Sequence, residues 1–152
     1  MGLNKKGFTL VELLIVIAIL GILAVTSINV YHKWLQRAHG AEVKMTLDYL
    51  IEAQIAYHAD NEEFFPEENS SLFVYHKGEN PPGAARLIAE NLHVPLKQGH
   101  YIDYAIYSRG GKCIIVISSS VDAPLDLFNN TPEIYVVLNS NLDVKKYYNE
   151  MP

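Results

Sequence analysis

The sequence predicts an α+β fold in which one long amino-terminal α-helix, transmembrane in its first half, packs on a small antiparallel β-sheet head. Three observations lead to this prediction. Residues 13–32 form a stretch of 20 residues with no formally charged side chain at neutral pH. An apolar periodicity of three to four residues continues beyond this stretch, as in an amphipathic helix. The last third of the chain consists of runs rich in Ile, Val and Tyr, separated by glycine and asparagine turns.

The uncharged stretch is long enough to cross a membrane. At a rise of ~1.5 Å per residue, a helix over residues 13–32 spans a hydrocarbon core of ~30 Å. Lys5 and Lys6 precede the stretch, so the positive-inside rule keeps the amino terminus in the cytoplasm and sends the head across the membrane. A secretory signal peptide fits the same residues, with residues 24–27, "AVTS", as a loose cleavage site.

Neither a signal peptide nor a plain anchor explains Glu12, which stands inside the apolar run. An acidic side chain costs ~2.5–3.5 kcal/mol at the centre of an inserted helix and less near its end. A simple anchor gains nothing in return for this cost. An ionisable group in such a segment therefore indicates a function.

The residues around Glu12 form a motif. Gly7-Phe8-Thr9-Leu10-Val11-Glu12 follows a short basic leader and precedes about twenty apolar residues. This arrangement resembles the amino terminus of type IV prepilins and pseudopilins. The resemblance is strong over residues 5–24, weaker through "AEVKMTLDYLIEAQIAYHADNEEFFP", and nearly absent beyond. It implies that a prepilin peptidase cuts after Gly7 and methylates the new amino-terminal Phe8.

The resemblance also implies which residues act in assembly. Glu12 is expected to pair with the Phe8 amine of a neighbouring subunit, because either charge alone in an apolar filament core is costly. Gly21 lies in mid-helix, where many members of the family carry glycine. The proline that many type IVa pilins carry one to two turns later is missing from "SINVYH". Since glycine costs ~1 kcal/mol in a helix and proline ~3 kcal/mol, local unwinding on assembly is less strongly encoded here.

The helix is expected to continue to about Asp60 and to carry two apolar faces. The long stripe steps by three or four residues and consists of Trp34, Ala38, Ala41, Met45, Tyr49, Ala53 and Ala56. The short stripe on another face consists of Val43, Leu47 and Leu50. Two apolar faces predict two partners, namely the chain's own head and neighbouring subunits. A helix enclosed on both sides within one domain explains the stripes equally well.

The head is expected to contain one short helix and an antiparallel sheet. Residues 82–92 predict the helix, with Ala85, Ile88, Ala89 and Leu92 facing inward. A surface loop precedes this helix, and within it residues 72–75 form a short extended piece. Two hairpins are predicted, one pairing residues 101–108 with 112–119 around Arg109-Gly110-Gly111, the other pairing 134–139 with 144–148 around Ser140-Asn141.

These elements divide the chain into four segments. They are a leader peptide at residues 1–7, a hydrophobic transmembrane and assembly half of the helix at 8–32, an amphipathic half at 33–60, and a globular head at 61–152.

No pattern in the head predicts catalysis, a cofactor or a metal site. The sequence contains no nucleophile elbow, phosphate loop or zinc-ligand spacing, so we expect no enzyme. Cys113 is the only cysteine and is expected to be a small buried hydrophobic residue. A calcium site is conceivable in the loop "VDAPLDLFNN", although its polar residues are typical turn formers. Those residues are Asp122, Asp126, Asn129 and Asn130.

The charge of the chain argues against nucleic acid as a partner. The net charge is −5, and loss of Lys5 and Lys6 with the leader makes it more negative. Lys33, Arg37 and Lys44 could contact phosphates or lipid headgroups, but such a series is more typical of a solvated or ion-paired helix face. The spacing of Lys44 and Asp48 suits an ion pair.

With the resemblance, the sequence predicts a structural subunit of a type IV pilus-like filament. The precursor would lie in the inner membrane with its head outside the cytoplasm, and the processed chain would polymerise through its helix into a cell-surface or periplasmic filament. The implied partners are a prepilin peptidase, an assembly ATPase, a platform protein, and copies of the chain or sibling pilins. Two alternatives stay open: a minor pilin or type II secretion pseudopilin, and a membrane-anchored binding domain that never polymerises.

Overall fold

The computed structural model describes residues 8–96, 101–120 and 133–148. The chain divides into two compact units, Met1–Leu35 and Gln36–Pro152. Helix α1, Leu10–Asn61, contributes to both units. The second unit contains the remaining elements, which are β1 (Ser71–Tyr75), β2 (Gly78–Asn80), α2 (Ala84–Leu92), β3 (Ile102–Arg109), β4 (Lys112–Ser119), β5 (Glu133–Asn139) and β6 (Val144–Tyr148). The predicted α+β fold, a long helix with an antiparallel sheet, is confirmed.

The carboxyl end of α1 is closed by a left-handed residue. Glu62 has φ 61°, and its backbone N–H donates to the His58 carbonyl at 2.9 Å. The Asn61 side-chain amide donates to the Tyr57 carbonyl, also at 2.9 Å. Carbonyl groups of the last turn that would otherwise lack a partner are thus satisfied, and the helix stops one residue beyond the predicted position.

The sheet has six strands in the order β2-β1-β3-β4-β5-β6, and every neighbouring pair is antiparallel. The β3–β4 hairpin was predicted correctly. Arg109 pairs with Lys112, and the two residues between them, Gly110 and Gly111, both have positive φ, the conformation that favours glycine in a two-residue turn. The predicted pairing of β5 with β6 is also confirmed, and the residues between them include Leu142, which has φ 63°.

Strand β1 was expected only as a short extended piece, and β2 was not expected. The structure pairs β1 with the free edge of β3, in the register Ser71↔Tyr107 and Val74↔Tyr104. Sequence patterns within a short run do not show that a distant strand has an unpaired edge. Unpaired backbone groups at that edge favour the addition of a strand.

Helix α2 starts two residues later than predicted. Gly83, with φ 85°, precedes it, and the Gly83 N–H donates to the Glu79 carboxylate at 2.6 Å. The buried face of α2 consists of Ala84, Ile88 and Leu92. Of the other residues predicted to face inward, Ala85 is partly buried and packs against the core, and Ala89 is only partly buried.

The core of the second unit lies between α1, α2 and one face of the sheet. The short stripe of α1 faces this core, because Val43 and Leu50 are 0% exposed and Leu47 is 3% exposed. From the sheet, the core includes Ile106, Ile115 and Ile117. Each large aliphatic side chain contributes about 1.5–3 kcal/mol by leaving water. On the long stripe, Met45 and Tyr49 are more than half exposed.

Two polar contacts attach the helix to the rest of the second unit. Gln54 is fully buried, and its amide exchanges two hydrogen bonds with the backbone of Phe65, donating to the carbonyl and accepting from the N–H at 3.1 Å. Asp48 pairs with Lys146 of β6 at 3.1 Å between Oδ1 and Nζ. Among the described residues, Asp48 therefore takes this partner rather than the predicted Lys44. The pair is partly exposed, so it adds at most about 1 kcal/mol.

Candidate functional site

The amino-terminal end of α1 is a capping box built from Thr9 and Glu12. Thr9 precedes the first helical residue and its carbonyl accepts the Leu13 N–H at 3.2 Å. The Thr9 hydroxyl accepts the Glu12 N–H at 3.2 Å, while the Glu12 carboxylate accepts the Thr9 N–H at 2.8 Å. Side chain and backbone thus satisfy each other across the first turn.

The two carboxylate oxygens of Glu12 have different surroundings. Oε2 accepts both the Thr9 N–H at 2.8 Å and the Thr9 hydroxyl at 2.7 Å. No donor from the described residues contacts Oε1. An ionised carboxylate can accept several hydrogen bonds, so Oε1 remains able to accept another donor while Oε2 holds the side chain in place.

Phe8 stands immediately before this capping box. Its side chain is 79% exposed. Gly7, the predicted cleavage residue, lies outside the described residues, as does the rest of the predicted leader at residues 1–7. Of the two residues at the predicted cleavage site, the structure therefore describes only Phe8.

The helix that follows exposes an apolar surface. Among the described residues, α1 is the one helix long and apolar enough to cross a membrane, and none of its most apolar window is buried within the chain. Leu13, Leu20 and Leu23 are each more than half exposed. Apolar residues in a core helix would be covered by the same chain, and these are not.

The capping box and the start of α1 lie in the segment where this chain is similar to known proteins. The family model described as "Prokaryotic N-terminal methylation motif" matches residues 2–28. The type IV major pilin protein PilA of Myxococcus xanthus is 36% identical over 75 residues, which cover 49% of this chain and 34% of PilA. The type IV major pilin protein PilE of Neisseria gonorrhoeae is 38% identical over 74 residues, covering 49% of this chain and 44% of PilE.

Over about half of its length, the chain is thus similar to type IV pilins. The type IV major fimbrial protein FimA of Dichelobacter nodosus, 53% identical over 38 residues, shares a shorter part, 25% of this chain and 24% of FimA. The chain spans less than half the length of these curated relatives. No solved structure matches it significantly.

Gly21 lies within helix α1. A methyl group at this position would meet nothing within 4 Å. Packing within the chain therefore does not require glycine there. Its predicted part in assembly stays a prediction.

The second unit buries the single cysteine of the chain. Cys113 is 0% exposed, and its Sγ lies 3.9 Å from the Phe65 carbonyl oxygen. Burial raises the pKa of the Cys113 thiol well above its ordinary value, so the reactive thiolate is disfavoured. Cys113 is thus the buried hydrophobic residue that the sequence predicted.

A metal site has no support from the part of the chain that the structure describes, since no three His, Cys, Asp or Glu residues in it are grouped to hold an ion. The residues named for a conceivable calcium site, Asp122, Asp126, Asn129 and Asn130, lie outside the described residues.

The capping box is the feature that sequence reasoning missed. Thr9-Leu10-Val11-Glu12 has the spacing of a capping box directly before an apolar run, and this pattern can be read from sequence alone. The prediction for Glu12 named only a partner in a neighbouring subunit, whereas the structure adds Thr9 of the same chain.

Proposed function

We propose that this chain is a structural subunit of a type IV pilus-like filament, cut after Gly7 by a prepilin peptidase and polymerised through its hydrophobic amino-terminal helix. One observation carries the proposal. The capping box holds Glu12 at the start of a long, wholly exposed apolar helix surface, with one carboxylate oxygen still able to accept a donor. The matched methylation motif covers this segment.

Processing would create the donor that this oxygen lacks. Cleavage after Gly7 turns the Phe8 backbone nitrogen into a cationic amine, while the Thr9 N–H and hydroxyl, and hence the capping box, stay intact. The Phe8 amine of one subunit would bind the free oxygen of Glu12 in another. Pairing offsets the cost of burying either charge, so it selects the register in which subunits pack.

The apolar faces of α1 support the same proposal. The short stripe is used within the chain, whereas Met45 and Tyr49 of the long stripe are 57% and 55% exposed. A helix whose second apolar face is uncovered in the isolated chain fits a second partner better than enclosure within one domain. We propose that neighbouring subunits cover this face.

The proposal assigns a role to each segment of the chain and an order to the steps from precursor to filament. Residues 1–7 serve as leader, 8–32 as the membrane and assembly half of the helix, 33–60 as its amphipathic half, and 61–152 as the head. The precursor waits in the inner membrane with the head outside the cytoplasm, until an assembly ATPase and a platform protein move it into a filament. The curated relatives are named as major pilins and fimbrial proteins, which favours the pilus subunit over the pseudopilin and over an enzyme.

Mass spectrometry of the membrane-purified protein tests the processing step. The mature chain should begin at Phe8 and carry one N-methyl group, and a chain with Gly7→Val should keep its leader. An unprocessed Met1 terminus, or a cut near Ser27, would contradict the proposal. Recovery of the chain in sheared filaments separates a filament subunit from an anchored binding domain.

A further inference from the structure

Two aromatic side chains stand at the outer end of the apolar segment of α1. Tyr31 and Trp34 are three residues apart and therefore lie on neighbouring positions of one helix face. They are 65% and 66% exposed, so the chain itself does not cover them. Tyrosine and tryptophan concentrate at the boundary between hydrocarbon and headgroups, because their rings are apolar and their O–H or N–H groups need polar partners.

The distance from this pair to Glu12 matches the thickness of a bilayer. Glu12 and Trp34 are 22 residues apart, which is ~33 Å along a helix. A tilt of ~20° reduces the span to ~31 Å, close to the ~30 Å of the hydrocarbon core. If Trp34 lies at the outer boundary of the hydrocarbon, Glu12 therefore lies at the inner boundary, in reach of water.

If apolarity alone set the position of the helix in the bilayer, α1 would lie at a different depth from the one that places Trp34 at the outer boundary. Residues 13–25 are strictly apolar, and their centre is residue 19. The midpoint between Glu12 and Trp34 is Leu23, four residues or ~6 Å further along the axis. Centring on residue 19 would draw Glu12 into the hydrocarbon and lift Trp34 out of it.

One polar residue of this segment, Thr26, is compatible with a position inside the hydrocarbon. The Thr26 hydroxyl donates to the carbonyl oxygens of Ile22 at 3.2 Å and Leu23 at 3.0 Å, so it needs no partner from outside the helix. A hydroxyl satisfied in this way is tolerated inside hydrocarbon.

We propose that Tyr31 and Trp34 form an interfacial anchor that binds phospholipid at the outer hydrocarbon boundary and thereby holds Glu12 at the inner boundary before assembly. This inference rests on the proposed membrane-stored precursor. It explains how that precursor keeps an ionised Glu12. The carboxylate stays hydrated in the bilayer and meets an apolar environment only when the subunit enters the filament.

The native chain contains its own depth probe, because Trp34 is its only tryptophan. The full, uncleaved chain would be reconstituted in phospholipid vesicles carrying a nitroxide quencher either near the headgroup or near the end of the acyl chain. Two single-tryptophan chains serve as matched controls: Trp34→Phe with Leu23→Trp, and Trp34→Phe with Leu13→Trp. Co-flotation with the vesicles is measured first, since failure to float refutes membrane storage itself.

For chains that float, the shallow quencher should be the stronger one at positions 34 and 13, and the deep quencher the stronger one at position 23. Trp34 should also stay shallow in bilayers of shorter and longer acyl chains, as an anchor requires. The inference is overturned if position 13 is quenched as a deep site while Trp34 responds mainly to aqueous iodide, which is the pattern for centring on residue 19. It is equally overturned if the depth of Trp34 follows the thickness of the bilayer.

Discussion

Glu12 has two structural roles that substitution can separate. As part of the capping box, its Oε2 accepts two hydrogen bonds from Thr9, at 2.8 and 2.7 Å. As an anion, it is proposed to neutralise the Phe8 amine of a neighbouring subunit. Glu12→Gln keeps an acceptor for Thr9 and removes the charge. Thr9→Val keeps the charge and the shape of the side chain and removes the hydroxyl.

The magnitudes of the two losses differ. Loss of a helix cap costs about 0.5–2 kcal/mol. Removing one partner of a buried ion pair costs about 3–5 kcal/mol, because the other charge stays buried and unpaired. At about 1.4 kcal/mol per factor of ten, the charge loss weakens the addition of a subunit about 140- to 3,700-fold, against at most about 30-fold for the cap.

Insertion into the membrane should change little, or improve. Removing a carboxylate relieves an insertion cost of at most ~3.5 kcal/mol, and less at a boundary position. The assay therefore measures two pools in the same cells, membrane-bound chain and sheared filaments, in strains without the native subunit. We expect Glu12→Gln and Glu12→Val to keep the membrane pool and lose the filaments. Thr9→Val should keep a reduced filament yield.

The reverse ranking would refute the charge-pair reasoning. Native filament yield from the Glu12→Gln chain would show that the carboxylate charge is not needed, and collapse of the Thr9→Val filaments would then assign the capping box as the essential feature. Equal loss of both pools in the Glu12→Gln chain would place the role of Glu12 in insertion or processing instead.

The remaining predictions concern the head. A chain without residues 1–31 should be soluble and unfold cooperatively in urea, since the second unit holds its own core; insolubility would contradict this. In that fragment Gln54→Leu should lower the free energy of unfolding by about 2–5 kcal/mol, because the Phe65 N–H loses its partner and the Phe65 carbonyl keeps only the long contact with the Cys113 thiol. A loss below about 1 kcal/mol would show that water replaces the amide. Burial raises the pKa of Tyr104 from 10.0 to about 12, so the neutral phenol stabilises the fold below pH 10 and this contribution is lost as the pH rises through 12. Tyr104→Phe should remove that pH dependence in alkaline urea titrations.

The sequence by itself determined the features that depend on neighbours along the chain. The start of the helix, its apolar stretch and the pilin-type motif all lie within the first 32 residues. The β3–β4 hairpin follows from two glycines between β-forming runs. Periodicity alone also found both stripes of α1, because each step of three or four residues returns to the same helix face.

Tertiary structure decided which of several compatible partners each feature takes. Periodicity cannot tell which stripe meets the sheet, and the structure selects the one with Val43. It pairs Asp48 with Lys146, 98 residues away, although Lys44 has suitable spacing. It also places β1 on the open edge of β3 and the Gln54 amide on the backbone of Phe65. Local patterns encode preferences for a face or a conformation, whereas an unpaired edge or an unsatisfied backbone group exists only once distant segments have packed.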